Sequence, residues 1–257
     1  MVWLDPPGTL LQNRAVIELV DRASARTFCE VGVGAGRLSR ALCDRGLRGA
    51  GIEFSAAALE QARTTLAGAD YQLIAENFMT MEPLPEEFDL ALSMMVMEHV
   101  EDDVGFAARM KNLVRPGGTV LIGVPARMDR WGIEDEAAGH LRRYDRPGLA
   151  RVLRKAGLME IEVRSVSVPA ANLTFHASNF LIRRAGATAK PSLTQRQKTE
   201  TSGLREVPFK TVFPSAFKAV LNPVTLFPLF LLQRAFYDTD LGLTLVASAK
   251  RPPLTPP

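Results

Sequence analysis

The sequence has few of the features that mark secreted or metal-stapled proteins. It contains only two cysteines among 257 residues, Cys29 and Cys43, which are too few for a disulfide framework or a four-cysteine metal site. No basic and apolar leader opens the chain, because Asp5 and the pair Pro6 and Pro7 stand near its start. We therefore expect a cytoplasmic protein that folds without disulfide bonds.

The sequence also lacks a long apolar run and a strong excess of one charge. Its most apolar stretch, Val220 to Leu232, is interrupted by Pro223 and Pro228 and is shorter than the roughly 20 residues that a membrane-spanning helix needs. The net charge is only +3, and acidic residues are spread among the basic ones. We expect no membrane span and no nucleic-acid partner, while peripheral contact with a lipid surface stays open.

Apolar segments with strand-like and helix-like periods alternate through most of the chain. The predicted helices are 10–23, 38–45, 56–66, 103–114 and 146–156, and the predicted strands are 27–33, 49–53, 71–75, 88–95, 119–124, 159–168 and 242–250. Continuous apolar strands separated by helices are typical of a mostly parallel sheet covered on both faces. The prediction is a Rossmann-like, doubly wound α/β fold with a seven-stranded, mainly parallel sheet.

About seventy residues separate the last two predicted strands, far more than an ordinary connection. They contain two apolar, helix-like pieces, roughly 171–184 and 212–236, around a polar stretch. We predict a core over 1–169, a helical lid over 170–240 inserted before the last strand, and that strand with its tail over 241–257.

The most specific local signal is a glycine-rich segment, 30–36, that follows a predicted strand and precedes a predicted helix. Gly32, Gly34 and Gly36 allow the backbone to turn tightly and to approach a ligand. A dinucleotide-binding fingerprint would place its third glycine at the position of Arg37. The spacing therefore disfavours a nicotinamide or flavin cofactor.

An acidic residue, Glu53, ends the second predicted strand, where a carboxylate can accept hydrogen bonds from ribose hydroxyls; a capping or solvated side chain is the alternative. The segment Glu30 to Gly36 and the acidic residue Glu53 together resemble motifs of the class I S-adenosylmethionine-dependent methyltransferase family. The resemblance implies that the loop backbone holds the methionine part of S-adenosylmethionine, that Glu53 binds its ribose and that Phe54 lies against adenine. It extends to 88–93, which is similar to the family's fourth strand, and to 113–118, which is similar to the turn before the fifth.

The adenine-contacting position follows from the same resemblance. Counting back from the pair Phe88 and Asp89 places Asn77 in register with an aspartate of the family, and Glu76 is the alternative. The predicted cofactor-binding residues are Glu30, Gly32, Gly34, Gly36, Glu53, Phe54, Asn77, Phe78 and Ser93.

The pair Glu98 and His99 follows the fourth predicted strand, as in a Glu-His-Val segment common in the family. In quinone-pathway O-methyltransferases this segment supplies metal ligands together with a carboxylate three residues before the glutamate. Met95 occupies that place here, so we expect no metal. His99 is a candidate catalytic residue, and a capping or packing role is the alternative.

The segment 139–144 carries an imidazole, two guanidinium groups and a phenol, and loops carry function disproportionately. It resembles the Gly-His-x-Arg-Arg-Tyr segment of a bacterial subgroup of these enzymes. We predict that His140 takes a proton from the acceptor, and that Arg143 and Tyr144 orient the acceptor or pair with the acidic residues 135–136. A salt-bridged loop that clasps the lid is the alternative.

The third histidine, His176, lies on an apolar helix-like piece and is a candidate acceptor contact, with packing as the alternative.

The sequence as a whole predicts methyl transfer from S-adenosylmethionine to a small molecule. An oxygen atom of a partly apolar metabolite is preferred as the acceptor over a nitrogen atom or a carboxyl group. A nicotinamide-dependent oxidoreductase and a partner-binding protein that binds the cofactor without turnover are the competing hypotheses. A monomer and a homodimer are both compatible with the pattern.

Overall fold

A computed structural model of the chain describes residues 3–85, 87–173, 213–214, 217, 219–222 and 224–254. Its strands are β1 (Trp3–Leu4), β2 (Thr27–Val31), β3 (Arg48–Ile52), β4 (Tyr71–Ile74), β5 (Phe88–Met94), β6 (Val114–Pro125), β7 (Met159–Val166), β8 (Phe213–Pro214) and β9 (Thr244–Lys250). Its helices include α1 (Pro7–Ala23), α2 (Arg37–Cys43), α3 (Ala56–Thr65), α4 (Asp103–Leu113), α5 (Ile133–Ala138), α6 (Arg146–Lys155) and α7 (Phe227–Arg234), with 3-10 turns at Met97–His99 and Met128–Arg130.

One seven-stranded sheet organises the molecule, in the order β4-β3-β2-β5-β6-β9-β7. The strands from β4 to β6 pair in parallel, and β9 pairs antiparallel with both β6 and β7. The predicted α/β fold with a mainly parallel sheet is confirmed. Chain order reverses between β2 and β5, and the carboxyl ends of strands at such a switch point are where ligands bind in open α/β sheets.

Helices cover both faces of this sheet, which explains why its strands read as continuous apolar runs. Along β5, Leu90 and Leu92 pack toward α1 and α2, whereas Ala91 faces the opposite cluster, which includes Phe106 of α4 and Leu149 of α6. Successive side chains of a strand point to opposite faces of the sheet. A central strand that is covered on both faces therefore needs apolar residues on both faces.

The insertion before β9 is described only in part, and His176 lies outside the described residues. Its C-terminal end is anchored to the core, because the Gln233 side chain of α7 donates to the Leu11 carbonyl (3.0 Å) and accepts from the Ser167 amide (2.7 Å). Phe230 is buried in the same place. The role of 170–240 as a lid stays a prediction.

Three segments differ from the sequence-based expectation. The stretch 212–236 is not one helix: Phe213–Pro214 pairs antiparallel with Trp3–Leu4, and the helix begins only at Phe227. Prolines explain this, since a proline in a helix interior removes a backbone hydrogen bond. The segment between β6 and α6, in which no helix was predicted, contains α5. The expected turn at 115–118 lies within β6, as an irregularity in its pairing with β5.

None of the described helices is both long enough and apolar enough to cross a bilayer.

Candidate functional site

The glycine-rich loop connects β2 to α2 with three residues of positive φ. Gly32, Gly34 and Gly36 have φ of 80°, 55° and 77°, a region that L side chains rarely adopt. A Cβ on Gly32 would collide with Val96, and one on Gly36 would be crowded by Leu66 at 3.0 Å. A Cβ on Gly34 would meet nothing within 4 Å. Gly34 is therefore the position at which the backbone is open to a ligand.

The loop and Glu53 are in direct contact. One carboxylate oxygen of Glu53 accepts a hydrogen bond from the Gly34 amide (2.9 Å), and the other accepts from the amides of Phe54 (2.9 Å) and Ser55 (2.8 Å). Ser55, not Glu53, provides the N-cap of α3. Backbone amides thus hold the buried carboxylate in place, and its further lone pairs suit the hydroxyls of a ribose.

Three of the predicted cofactor contacts have side chains in the core. Glu30 is buried beneath the loop and accepts a hydrogen bond from Ser39 of α2, and burial raises the pKa of its carboxyl to about 8. Ser93 donates to the Val31 carbonyl (2.9 Å) and so links the ends of β5 and β2. Phe78 packs in the core. These buried side chains support the loop and the strand ends from within the core. Direct contact of these residues with a cofactor stays a prediction.

The two remaining predicted cofactor residues lie at the surface, beyond the ends of β3 and β4. Phe54 is 36% exposed, which leaves its ring accessible to a planar ligand. The Asn77 side chain is exposed and accepts a hydrogen bond from the Met79 amide (2.9 Å). Both positions are compatible with the predicted contacts to adenine.

Two of the predicted catalytic residues, His99 and His140, come together with Glu98. The two imidazole centroids are 4.9 Å apart at an interplanar angle of 78°. One possible ligand atom from each of the three side chains lies within 4.8 Å of the other two. The Leu141 amide donates to the Glu98 carbonyl (2.9 Å), which attaches the loop to the 3-10 turn. We call Glu98, His99 and His140 the histidine cluster.

A fourth group, Asp135, orients His140 and was named from the sequence only as a possible ion-pair partner. Its oxygens accept from His140 Nδ1 (2.8 Å), from Arg143 Nε and Nη2 (2.7 and 3.0 Å) and from the Gly132 amide (2.8 Å). Burial opposes its ionisation, but these bonds from His140 and Arg143 lower the pKa of Asp135 to about 2. Asp135 is therefore a fully buried carboxylate that stays ionised.

The other two members of the cluster are shifted toward their neutral forms. Burial raises the pKa of Glu98 to about 7, an effect that nearby His140 partly offsets. Burial and then the neighbouring His140 lower the pKa of His99 to about 4. A neutral imidazole keeps one ring nitrogen as an acceptor or ligand.

Arg143 pairs with Asp135, which is one of its two predicted roles, whereas Tyr144 pairs with an acid that the sequence did not indicate, Asp103. Besides its bonds to Asp135, Arg143 donates to the Ala126 carbonyl (2.9 Å). The Tyr144 hydroxyl donates to Asp103 (3.1 Å), whose same oxygen accepts from Arg142 (2.9 Å). Three guanidinium nitrogens of Arg143 donate to protein oxygens, and its binding of an acceptor stays a prediction.

The loop and the histidine cluster occupy one edge of the sheet. Each of four neighbouring parallel strands is followed by a site residue: β3 by Glu53, β2 by Gly32, β5 by Glu98 and β6 by Ala126. Val96, between β5 and the cluster, packs against Gly32. A ligand held by the loop would therefore lie beside the cluster.

Comparison with known proteins agrees with this arrangement. Residues 29–122 match the family model described as "Methyltransferase domain". The "Ubiquinone biosynthesis O-methyltransferase" of Methylococcus capsulatus is 32% identical over 130 residues, which cover 46% of this chain and 54% of that protein. The protein of that name from Burkholderia pseudomallei is 28% identical and covers 69% of this chain and 78% of its own. The chain spans about half the length of the first curated relatives that it matches, for example 44% of the Stutzerimonas stutzeri protein.

Solved structures share the fold at low sequence identity. Phosphoethanolamine N-methyltransferase 2 of Haemonchus contortus, in complex with S-adenosyl-L-methionine, has a TM-score of 0.57 and 19% identity and covers 94% of this chain and 52% of its own. The [4+2]-cyclase SpnF has a TM-score of 0.58 and 14% identity and covers 94% of this chain and 81% of its own. These likenesses concern the fold, and the family match stops before the segment 139–144. Residues 29–122 thus match the model of a methyltransferase domain, and the chain shares a class I, Rossmann-like fold with the solved structure of a methyltransferase in complex with S-adenosyl-L-methionine.

Proposed function

We propose that the protein transfers the methyl group of S-adenosylmethionine to an oxygen atom of a small, partly apolar acceptor. The observation that carries this proposal is the contact between Gly34 and Glu53, which joins the open glycine loop to a buried carboxylate. In-line displacement at a sulfonium requires mainly that the acceptor atom be aligned and water excluded. The loop backbone supplies the cofactor half of that alignment.

The preference for oxygen rests on the names of the relatives, several of which are O-methyltransferases of ubiquinone biosynthesis. We place the acceptor at the histidine cluster, where a hydroxyl that must lose a proton would meet imidazole and carboxylate groups. His140 is our candidate for governing that deprotonation, with its orientation set by Asp135. A cytoplasmic location and a helical lid over 170–240, in which His176 contacts the acceptor, are parts of the same proposal.

The cofactor half is tested with a pair of glycine variants. Gly34 and Gly46 both have positive φ, and a Cβ on either would meet nothing within 4 Å, but only Gly34 lies in the loop. Gly34→Ala and Gly46→Ala should therefore have similar backbone strain, on the order of 1–2 kcal/mol. We expect calorimetry with S-adenosylhomocysteine to show at least a tenfold loss of affinity for Gly34→Ala alone. Equal affinities in both variants would overturn the assignment of the loop.

Turnover separates methyl transfer from the competing hypotheses. A partner-binding protein would bind S-adenosylmethionine without forming S-adenosylhomocysteine, and an oxidoreductase would instead bind a nicotinamide dinucleotide. The cyclase among the structural neighbours illustrates that the fold does not determine the reaction. We expect S-adenosylhomocysteine to form in the presence of hydroxylated aromatic acceptors. We expect His140→Ala to lose this activity while keeping cofactor affinity.

A further inference from the structure

We propose that Asp5 is a positioning residue that couples the glycine loop, through Arg37, to the insertion before β9. The inference rests on the proposed function, because it concerns how the loop assigned to the cofactor is held. Three sets of contacts support it. Asp5 pairs with the residue that follows the loop, the strand before Asp5 pairs with the insertion, and the helix after Asp5 is anchored beside the insertion.

The ion pair joins Asp5 to the end of the glycine loop. Asp5 Oδ1 lies 2.6 Å from Arg37 Nη1, and Arg37 begins α2 directly after Gly36. Only 19% of the Asp5 side chain is exposed, so salt screens this pair less than it screens a fully exposed one. Among the described residues, no other carboxylate pairs with Arg37. The pair therefore fixes the start of α2 to a segment that lies 32 residues earlier in the chain.

The strand before Asp5, β1, pairs with β8 of the insertion. Trp3 lies opposite Pro214 and Leu4 lies opposite Phe213, in antiparallel register. An isolated two-stranded pair is at best marginally stable in water, and this one has only two residues in each strand. It therefore depends on neighbouring contacts, and the ion pair of Asp5 is the next contact along the chain. Loss of that ion pair should loosen β1 and β8 together.

The helix after Asp5, α1, is anchored at its start. The Gly8 carbonyl accepts a hydrogen bond from the Ser167 hydroxyl (2.9 Å), and the Leu11 carbonyl accepts one from the Gln233 side chain (3.0 Å). Two prolines separate Asp5 from these contacts and restrict the backbone between them. Asp5 is therefore presented to its partner by a segment with few alternative conformations, which limits the entropy lost when the pair forms.

This arrangement predicts that ligand binding at the loop and the pairing of β1 with β8 support each other. A ligand that rests on the loop backbone restrains the start of α2, and with it the guanidinium group that Asp5 meets. Linkage is reciprocal, so a strand pair that favours the bound loop is favoured by the ligand to the same extent. Asp5 acts here through Arg37 and not by touching the cofactor.

Hydrogen exchange of the full-length chain, followed by mass spectrometry with and without S-adenosylhomocysteine, tests the coupling. In the wild type we expect the ligand to slow exchange about threefold or more in the peptides that contain Leu4 and Phe213. In Asp5→Asn this slowing should vanish, and affinity for S-adenosylhomocysteine should fall about three- to tenfold. Asp5→Glu keeps the charge and should keep most of both effects. Asp44→Asn, which breaks the pair with Arg40 at the other end of α2, is the matched control and should behave as the wild type does.

A double-variant cycle tests whether Asp5 acts through Arg37. In an Arg37→Gln background, Asp5→Asn should change the affinity for S-adenosylhomocysteine by less than about twofold, because the interaction is already absent. An undiminished effect of Asp5→Asn in that background would overturn the inference, since Asp5 would then act by another route. Arg37→Gln alone breaks the same pair from its other side and should also abolish the slowing, which keeps the test decisive if Asp5→Asn does not fold.

The two possible failures are distinguishable. Binding of S-adenosylhomocysteine that slows exchange equally in the wild type and Asp5→Asn, or that leaves exchange at Leu4 and Phe213 unchanged in the wild type, would overturn the coupling and leave the proposed function intact. Absence of binding to the wild-type chain would overturn the cofactor assignment and this inference with it.

Discussion

Backbone amides after β2 and β3 hold the carboxylate of Glu53, whereas side chains hold the carboxylate of Asp135 beyond the ends of β5 and β6. In the first region, Glu53 accepts hydrogen bonds from the amides of Phe54 and Ser55, which follow it in the chain, and from the amide of Gly34 in the loop after β2. In the second, Asp135 is surrounded by the side chains of His140 and Arg143. Both regions bury a carboxylate at the same edge of one sheet.

This difference in construction indicates a difference in task. Amides fixed by a loop form a cradle that suits one ligand shape and needs no proton movement. Imidazole and carboxylate side chains can exchange protons or bind an ion. The comparison therefore separates the region in which we propose that the cofactor binds from the region in which we propose that the acceptor reacts.

The largest expected effect comes from breaking the side-chain region at its centre. Asp135→Ala leaves Arg143 and His140 without their buried partner, and removal of one member of a buried ion pair costs roughly 3–5 kcal/mol. Urea unfolding should show that loss in the free energy of unfolding. Asp44→Ala, which breaks the exposed pair with Arg40, should cost less than about 1 kcal/mol. Equal losses in the two variants would show that the side-chain region is not specially dependent on Asp135.

Beneath the glycine loop of the first region, the buried acid Glu30 makes stability depend on pH. The pKa of Glu30 is about 8 in the folded chain and 4.5 for an unperturbed glutamate, so the folded state keeps a proton that the unfolded state releases. Its contribution is therefore most favourable below pH 4.5 and is lost as pH rises toward 8. Between pH 5 and 7, the free energy of unfolding of the wild type should fall relative to Glu30→Gln by up to about 1.4 kcal/mol per pH unit. Parallel pH profiles would contradict the prediction.

Truncating the other carboxylate should affect the cofactor more than the fold. Glu53→Ala removes the acceptor of the Gly34 amide and the predicted ribose ligand. We expect S-adenosylhomocysteine affinity to fall by about 10- to 100-fold, equivalent to about 1.4–2.8 kcal/mol. Calorimetry against Glu60→Ala provides the control. An affinity for S-adenosylhomocysteine within twofold of the control would show that Glu53 does not bind the cofactor.

The smallest effect concerns Tyr144, whose hydroxyl bonds Asp103 rather than the histidine cluster. Tyr144→Phe deletes that hydrogen bond and should lower the free energy of unfolding by about 1 kcal/mol. The rate of methyl transfer should change by less than threefold. A loss of two orders of magnitude in rate with normal stability would restore Tyr144 as a catalytic residue.

The sequence by itself determined the fold and the positions of the glycine loop and Glu53 after neighbouring strands. Periodic apolar segments predict a covered parallel sheet, and the positive-φ glycines and Glu53 stand in short segments that directly follow strands. Such features depend on residues close together in the chain, so their position follows from the secondary structure alone.

Only the tertiary structure decided what the histidines contact. Glu98, Asp135 and His140 lie on three segments that meet because β5 and β6 are neighbours and the following loop folds back over them. From the sequence, Arg143 had two possible roles, and its pairing with Asp135 depends on the short helix α5, which the sequence did not predict. Partners of buried side chains depend on the order of strands in the sheet and on loop paths, which local periodicity does not encode.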